Sequence, residues 1–105
     1  MSRSVGYSPE ARTDIVEIGA YFVERNPAVE ERFNQAVWQT ARMLADQPGL
    51  GERCQFKNPE YMDLCVRTIT GFKNYLIFFR SNPSTLTVVR VIHGAGNYAE
   101  MFDEK

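Results

Sequence analysis

Asn74-Tyr-Leu-Ile-Phe-Phe-Arg80 and Leu86-Thr-Val-Val-Arg-Val-Ile-His-Gly94 flank the turn Ser81-Asn-Pro-Ser-Thr85, and these two strands decide the fold. The first strand is apolar from Tyr75 to Phe79. Strands that are apolar on both faces need cover on both. We expect the rest of the chain to cover only one face, which predicts a partner on the other. In the second strand, simple alternation places on one face Leu86, Val88 and Ile92, and on the other Val89 and Val91.

Two capping signals before the strands predict a helical hairpin. Ser8-Pro9 and Asn26-Pro27 each place a cap residue before a proline, which is typical of the first turn of a helix. The first helix is therefore expected to end near Arg25, with the second beginning almost at once. Its apolar stripe, at spacings of four, three and four, is Ala11, Ile15, Ile18 and Phe22. Polar residues expected largely off that stripe are Arg12, Asp14 and Glu17.

The remaining segments complete an α+β fold. Residues 2–7 are expected to form an edge strand, and residues 47–51 end the second helix, whose apolar stripe includes Val29, Phe33, Val37 and Leu44. Residues 48–60 read as a loop, and Met62 to Ile69 as a strand that turns at residues 70–73 into the central pair. The prediction is one domain over residues 1–105: an N-terminal strand, a helical hairpin, a three-stranded antiparallel meander and a short C-terminal helix.

Composition limits the class of protein. The 105 residues fit one domain, and 44% hydrophobic residues can build one core. We expect a soluble cytoplasmic protein, because no apolar run has the length of a signal peptide or a membrane span. Cys54 and Cys65 are eleven positions apart without a paired motif, and His93 is the one histidine. Reduced thiols are predicted, with a disulfide as the minor alternative and no zinc site.

Charge is distributed unevenly along the chain. Residues 1–52 carry five basic and eight acidic side chains, for a net charge of −3, whereas residues 53–90 carry six basic and two acidic ones, for +4. Such asymmetry favours an acidic partner or a nucleic-acid complex. Chance clustering on a solvated surface is the alternative.

Catalytic patterns are sparse in the sequence. A single histidine, His93, has no evident nucleophile to activate, and structural hydrogen bonding is the favoured role for it. Gly94-Ala-Gly96 lacks the third glycine and the lysine of a phosphate loop. If Arg67, Arg80 and Arg90 share a face, they can hold a phosphate or a carboxylate. The alternative is ion pairing with Asp63 or Glu60.

Four segments together resemble toxins of the RelE/ParE superfamily, which includes plasmid stabilisation proteins of type II toxin-antitoxin systems. They occur in the right order over nearly the whole chain: Tyr7-Ser-Pro-Glu-Ala-Arg-Thr-Asp-Ile15, Leu44-Ala-Asp-Gln-Pro-Gly-Leu-Gly51, Asn74-Tyr-Leu-Ile-Phe-Phe-Arg80 and Val89-Arg-Val-Ile-His-Gly94. The resemblance implies a RelE/ParE-like fold and tight binding to a small antitoxin whose acidic helical tail wraps the toxin. That antitoxin would supply the cover missing from the sheet.

Differences within the resemblance favour the ParE branch over the RelE branch, which cleaves messenger RNA on the ribosome. Leu76 and Ala95-Gly96 lie where that branch carries catalytic basic residues, and Met101 or Phe102 lies where it carries a terminal tyrosine. ParE-type toxins are described as poisons of DNA gyrase that act by binding, without a cofactor. Gly96 also stands where many ParE-like chains have arginine.

The resemblance and the residues together predict two sets of contacts, with no catalytic and no metal-binding residue. A ParD-like antitoxin is expected to contact Trp38, Phe56, Phe78 and Arg80. Toxicity is expected to depend on Arg90, His93, Tyr98 and Phe102. DNA and membranes are not expected as direct partners. The alternatives are a ribosome-dependent mRNA endoribonuclease that uses His93 and the sheet arginines, and an inactive relative that retains only antitoxin binding.

Overall fold

A computed structural model describes residues 3–94 and 101–102 of the chain. Its elements are β1 (Ser4–Tyr7), α1 (Pro9–Arg25), α2 (Pro27–Asp46), β2 (Glu52–Arg53), β3 (Cys65–Ile69), β4 (Phe72–Ser81) and β5 (Thr85–His93). The strands form one sheet in the order β1-β5-β4-β3-β2. β1 runs parallel to β5, and the other neighbours are antiparallel. The predicted α+β order is confirmed, with β2 added inside the expected loop. Most of the predicted C-terminal helix lies outside the described residues.

Both predicted helix starts are confirmed by their capping bonds. The Ser8 hydroxyl accepts a hydrogen bond from the amide of Ala11 at 3.0 Å, and the Asn26 side chain accepts one from the amide of Ala28 at 3.1 Å. Each cap satisfies an amide that the first helical turn leaves without a partner. Because the second cap directly follows α1, the two helices form a tight hairpin that packs on the sheet.

The β3–β4 turn is short and is fixed by one glycine and one buried hydroxyl. Gly71 has a φ of 85°, a conformation that side chains with a Cβ rarely adopt. The preceding amide of Thr70 donates to the hydroxyl of Thr40 on α2 at 3.2 Å. Thr40 is buried, so this bond ties the end of the sheet to the hairpin.

The helix-covered face of the sheet holds the larger core. Four aromatic rings gather at one end of this face, where Phe33 packs against Phe22, Phe72 and Tyr75 with centroids 5.2–5.4 Å apart. Around them the buried side chains of both helices and the inward residues of the sheet form one cluster: Ala11, Val37, Ala41, Leu44, Ala45, Ile69, Ile77, Phe79, Leu86, Val88 and Val91.

A β-bulge in β5 overturns the face assignment made from simple alternation. Phe78 pairs with Arg90 whereas Phe79 pairs with Val88, so Val89 is an extra residue between them. The extra residue shifts the alternation by one position. Val91 therefore joins Leu86 and Val88 on the helix-covered face, whereas Ile92 packs with Val89 on the other.

The second face of the sheet is covered by the chain itself, which contradicts the prediction of a single cover. We call this the loop-covered face, because residues 54–64 and Phe102 lie on it. Leu64, Phe78 and Phe102 are buried there. The Phe102 ring lies 4.8 Å from the rings of Phe56 and Phe78 and 5.0 Å from that of Tyr61. The apolar second face is thus no longer evidence for a partner.

The two thiols lie in different clusters. Cys65 packs with the helix-covered core and Cys54 with the loop-covered one, and both are free, as predicted. Burial raises the pKa of Cys54 to about 11 and also raises the pKa of Cys65. Both therefore stay protonated at neutral pH. No helix within the described residues has the length and apolarity needed to cross a bilayer.

Candidate interaction site

Within residues 3–94 and 101–102, the outer edge of β5 has no strand neighbour beyond the end of β1. Tyr7, the last residue of β1, pairs with Val88, and the chain then enters α1. Ser8 makes two hydrogen bonds to this edge: its amide donates to the carbonyl of Val88 at 2.9 Å, and its hydroxyl donates to the carbonyl of Val89 at 2.7 Å. From this point α1 replaces the strand, and a groove opens between the helix and the end of β5.

Asp14 closes the first part of that edge. Its carboxylate accepts two hydrogen bonds from Arg90, from Nε at 2.7 Å and from Nη2 at 2.9 Å. It also accepts the amide of Val91 at 2.9 Å, so a side chain takes the place of a neighbouring strand. The three donors compensate for burying a carboxylate that is only 9% exposed. The hydrogen bond that Arg90 donates to Asp14 raises the pKa of Arg90, although burial acts in the opposite direction.

Sequence reasoning missed Asp14, which it placed among the solvent-facing polar residues of α1. The signal that marks it is its position, three residues after the buried Ala11 and four before the half-buried Ile18. An acidic residue at that spacing lies on the flank of the apolar stripe, next to the sheet. The bulge at Val89 completes the site, because the extra residue determines that Arg90 is the partner of Phe78 in β4.

Two grooves meet at Arg90. The first, of about 460 Å³, lies between α1 and the end of β5. The second, of about 250 Å³, lies between the start of α1 and the loop-covered face, and both Arg80 and Arg90 line it. The remaining side chains of the first groove are Asp14, Glu17, Ile18, Tyr21, Tyr75, Val91, Ile92 and His93.

Of the three sheet arginines, Arg80 and Arg90 come together but Arg67 does not. Arg67 is opposite Ile77, a residue of the helix-covered core, and donates to the carbonyl of Leu50 at 2.7 Å. The three arginines do not share a face, so the condition for a joint phosphate or carboxylate site is not met. Arg80 makes one of the ion pairs that sequence offered as the alternative, with the carboxylate of Asp63 at 3.1 Å, and it donates to the backbone carbonyl of Glu60 at 2.7 Å.

His93 lies at the end of β5 above an aromatic ring. Its imidazole makes an edge-to-face contact with Tyr75, with centroids 4.9 Å apart. Burial raises the pKa of Tyr75, so this phenol is protonated at neutral pH. The histidine itself is exposed and lines the first groove. Within the described residues, no group of three His, Cys, Asp or Glu side chains is placed to hold a metal ion.

The predicted antitoxin contacts lie in different environments. Trp38 is 60% exposed on α2. Phe56 is half-buried and Arg80 borders the second groove, so both remain accessible at the rim of the loop-covered face. Phe78 is fully buried beneath that loop and supports the surface rather than forming it.

The predicted toxicity residues are only partly assembled. Arg90 and His93 line the first groove, and Phe102 is 2% exposed inside the loop-covered cluster. Tyr98 lies outside the described residues, as does Gly96. The geometry thus brings together two charged or polar residues at the end of β5, and it assigns Phe102 a packing role.

Comparisons with known proteins agree with this architecture. The family model for the ParE toxin of the type II toxin-antitoxin system parDE matches residues 5–98. Toxin RelE3 from Caulobacter vibrioides is 26% identical over 91 residues, which cover 87% of this chain and 94% of that protein. A solved structure of the chromosomal ParDE system from P. aeruginosa has the same fold, with a TM-score of 0.69 and 15% identity over 88% of this chain and 96% of its own.

Proposed function

We propose that this chain, which belongs to the ParE toxin family of type II toxin-antitoxin systems, poisons DNA gyrase by binding to it. We also propose that a ParD-like antitoxin neutralises it. The structure of a ParDE system from P. aeruginosa, which shares the fold, supports a partner of that kind. The observation that carries the binding mechanism is that Arg80 and Arg90 are both paired with carboxylates of the protein. This pairing favours recognition over catalysis.

Both arginines near the grooves are already bound to carboxylates. Arg90 makes a forked contact with the buried Asp14, and Arg80 pairs with Asp63. A nuclease that uses arginine to stabilise a developing phosphate charge needs guanidinium donors aimed at the substrate. Here Nε and Nη2 of Arg90 are directed at Asp14. The surface that remains is suited to protein contact, through the exposed Trp38 and the groove residues Arg80 and His93.

The antitoxin is proposed to bind over α2 and the rim of the loop-covered face. Trp38 is the anchor of this proposal, because large exposed aromatic side chains are frequent hot spots of protein interfaces. Arg80 offers a charge to an acidic tail, provided that the tail replaces Asp63 as its partner. Phe56 completes the contact, whereas Phe78 holds the surface from below.

A supercoiling assay tests the gyrase mechanism. Purified gyrase is incubated with the toxin, with the toxin and its antitoxin, and with the toxin variants His93→Ala and Arg12→Gln. Inhibition of supercoiling and accumulation of cleaved DNA are expected with the toxin alone, with a loss of potency in His93→Ala, which removes an exposed side chain at the end of β5. Arg12 is exposed on α1 and lines none of the described grooves, so its variant is the control. Unaffected gyrase at saturating toxin contradicts the assignment.

The second candidate is ribosome-dependent cleavage of messenger RNA. It is favoured by the similarity to a protein named toxin RelE3 and by the position of His93 within the groove that Arg90 lines. Toeprinting on translating ribosomes separates the two functions. Codon-specific cuts that disappear in His93→Ala support this candidate over gyrase binding. A pattern of ribosome stops that is the same with and without the toxin excludes it.

A further inference from the structure

The groove between α1 and the end of β5 continues along the helix toward its N-terminus. A shallower part is lined by Pro9, Glu10 and Thr13 and shares with the first groove Asp14, Glu17 and Arg90. Its floor is the segment of β5 that has no strand on its outer side within the described residues. From Glu10 to Tyr21 the helix rises about 16 Å, which is the span of about five residues of extended chain.

The charge of this continuous groove is negative. Its described lining holds three carboxylates against one guanidinium. Asp14 and Arg90 satisfy each other, so their pair contributes little net charge. Glu10 and Glu17 are exposed, and neither forms an ion pair with any described residue. An acidic tail or a nucleic acid is therefore repelled here, although residues 53–90 carry a net charge of +4.

The walls of the groove suit the stem and the head of a long basic side chain. Ile18 and Ile92, which are both half-buried, offer apolar surface to methylene groups. The Tyr75 and His93 rings, 4.9 Å apart, stand beside them, and Tyr21 lines the same wall. The Tyr21 ring already carries a cation, because the Arg25 guanidinium lies 3.7 Å from its centroid, so Tyr75 and His93 are the rings that face an incoming side chain. Glu17 lines the same groove and is the exposed one of its two carboxylates.

We propose that this groove binds an extended, lysine- or arginine-bearing segment of a partner protein, with its basic side chains directed at Glu17 and Glu10. The inference goes beyond gyrase poisoning and does not depend on it. The groove meets the antitoxin surface proposed above, which lies around Arg80, at Glu10 and Arg90, because these two residues also line the second groove. Glu17, Ile18 and Tyr21 do not line the second groove, and there we expect the basic segment to bind.

The test uses the isotope-labelled full chain and three probes in nuclear magnetic resonance titrations. The probes are a capped six-residue peptide of alternating threonine and arginine, its counterpart with glutamate in place of arginine, and spermidine. The arginine peptide is expected to shift the backbone amides of Glu17, Tyr21 and His93, and added salt is expected to weaken its binding. The glutamate peptide is expected to leave these amides unchanged.

Two variants of exposed carboxylates make the assignment specific. Glu17→Gln is expected to weaken the arginine peptide by about twofold to fivefold, the range of one exposed ion pair. Glu31→Gln, on the exposed face of α2 and outside the described grooves, is expected to change nothing. Absence of shifts at millimolar peptide, equal binding by the glutamate peptide, equal loss in Glu31→Gln, or spermidine binding as tight as that of the peptide each overturns the proposal. These outcomes are independent of any effect on gyrase.

Discussion

The helix-covered face of the sheet holds twelve buried side chains among the described residues, whereas the loop-covered face holds three: Leu64, Phe78 and Phe102. The first cluster is built from two capped helices and the inward residues of the strands. The second is built from the loop at residues 54–64, which contains the short 3-10 helix Pro59–Tyr61, together with Phe102. We therefore expect most of the free energy of unfolding to come from contacts on the first face, and the second face to rearrange more easily.

The two arginine–aspartate pairs follow the same division. Arg90–Asp14 lies against α1, with its side chains 26% and 10% exposed, and it also binds the β5 backbone. Arg80–Asp63 lies at the rim of the loop-covered face, where Asp63 is 63% exposed. A buried pair with backbone contacts organises the fold, whereas an exposed pair can exchange partners. We expect substitutions in the buried pair to lower the free energy of unfolding more than substitutions in the exposed pair.

The largest effect is expected from Phe33→Ala on the helix-covered face. Phe33 is fully buried and contacts three other rings, so its removal leaves a cavity that the two helices cannot close. The free energy of unfolding should fall by about 3–5 kcal/mol. Urea unfolding followed by circular dichroism measures it, with the exposed Gln35→Ala on the same helix as control. A loss below about 1 kcal/mol would mean that this face is not the stable one.

The next effect is expected from Asp14→Asn. The substitution keeps the shape of the side chain but leaves Arg90 without its carboxylate and removes the charge that binds the Val91 amide. Breaking a buried pair costs about 3–5 kcal/mol, and the partial exposure of Arg90 should reduce this to about 2–3 kcal/mol. Hydrogen exchange at Val91 should become faster in the same variant. Unchanged exchange would show that the carboxylate does not hold the strand edge.

Sequence alone predicted the helices and the central strands, because their signals are local. A cap followed by proline marks Ser8 and Asn26, and spacing marks the apolar stripes. It did not predict the phase of β5, since a bulge at Val89 leaves no trace in alternation and depends on the register with β4. It also missed Asp14, whose partner Arg90 lies 76 residues away along the chain. Local patterns thus give the elements, whereas the site depends on contacts between them.

The cover on the loop-covered face was missed for a related reason. In a loop rich in polar residues, Gly and Pro, the sequence has no regular spacing that would predict that Phe56, Tyr61 and Leu64 pack on the same side. Only the fold brings them to Phe102. With that face covered, the features that support a partner are the exposed Trp38, the grooves at Arg90 and the match to the ParE toxin family.

Phe102→Ala tests the loop-covered cluster and is expected to have a smaller effect than Phe33→Ala. Phe102 contacts three rings, but most side chains of this cluster are only partly buried, so the loop can close over the space when the ring is removed. A loss of about 1–2 kcal/mol is expected, below the usual range for a buried phenylalanine. Met101→Ala, at a neighbouring exposed position, is the control. A loss equal to that of Phe33→Ala would make the two faces equivalent and remove the basis of the comparison.

The smallest effect is expected from Asp63→Asn. Asp63 is largely exposed, and Arg80 keeps its hydrogen bond to the carbonyl of Glu60 when the carboxylate is lost. The free energy of unfolding should change by less than about 1 kcal/mol, and added salt should reduce the change further. A double-mutant cycle with Arg80→Gln measures the pair itself. If Arg80 is the exchangeable partner of an acidic antitoxin tail, Asp63→Asn should tighten antitoxin binding while leaving stability nearly unchanged. Weaker antitoxin binding would instead place Asp63 within the interface, where the carboxylate orients Arg80 rather than competing for it.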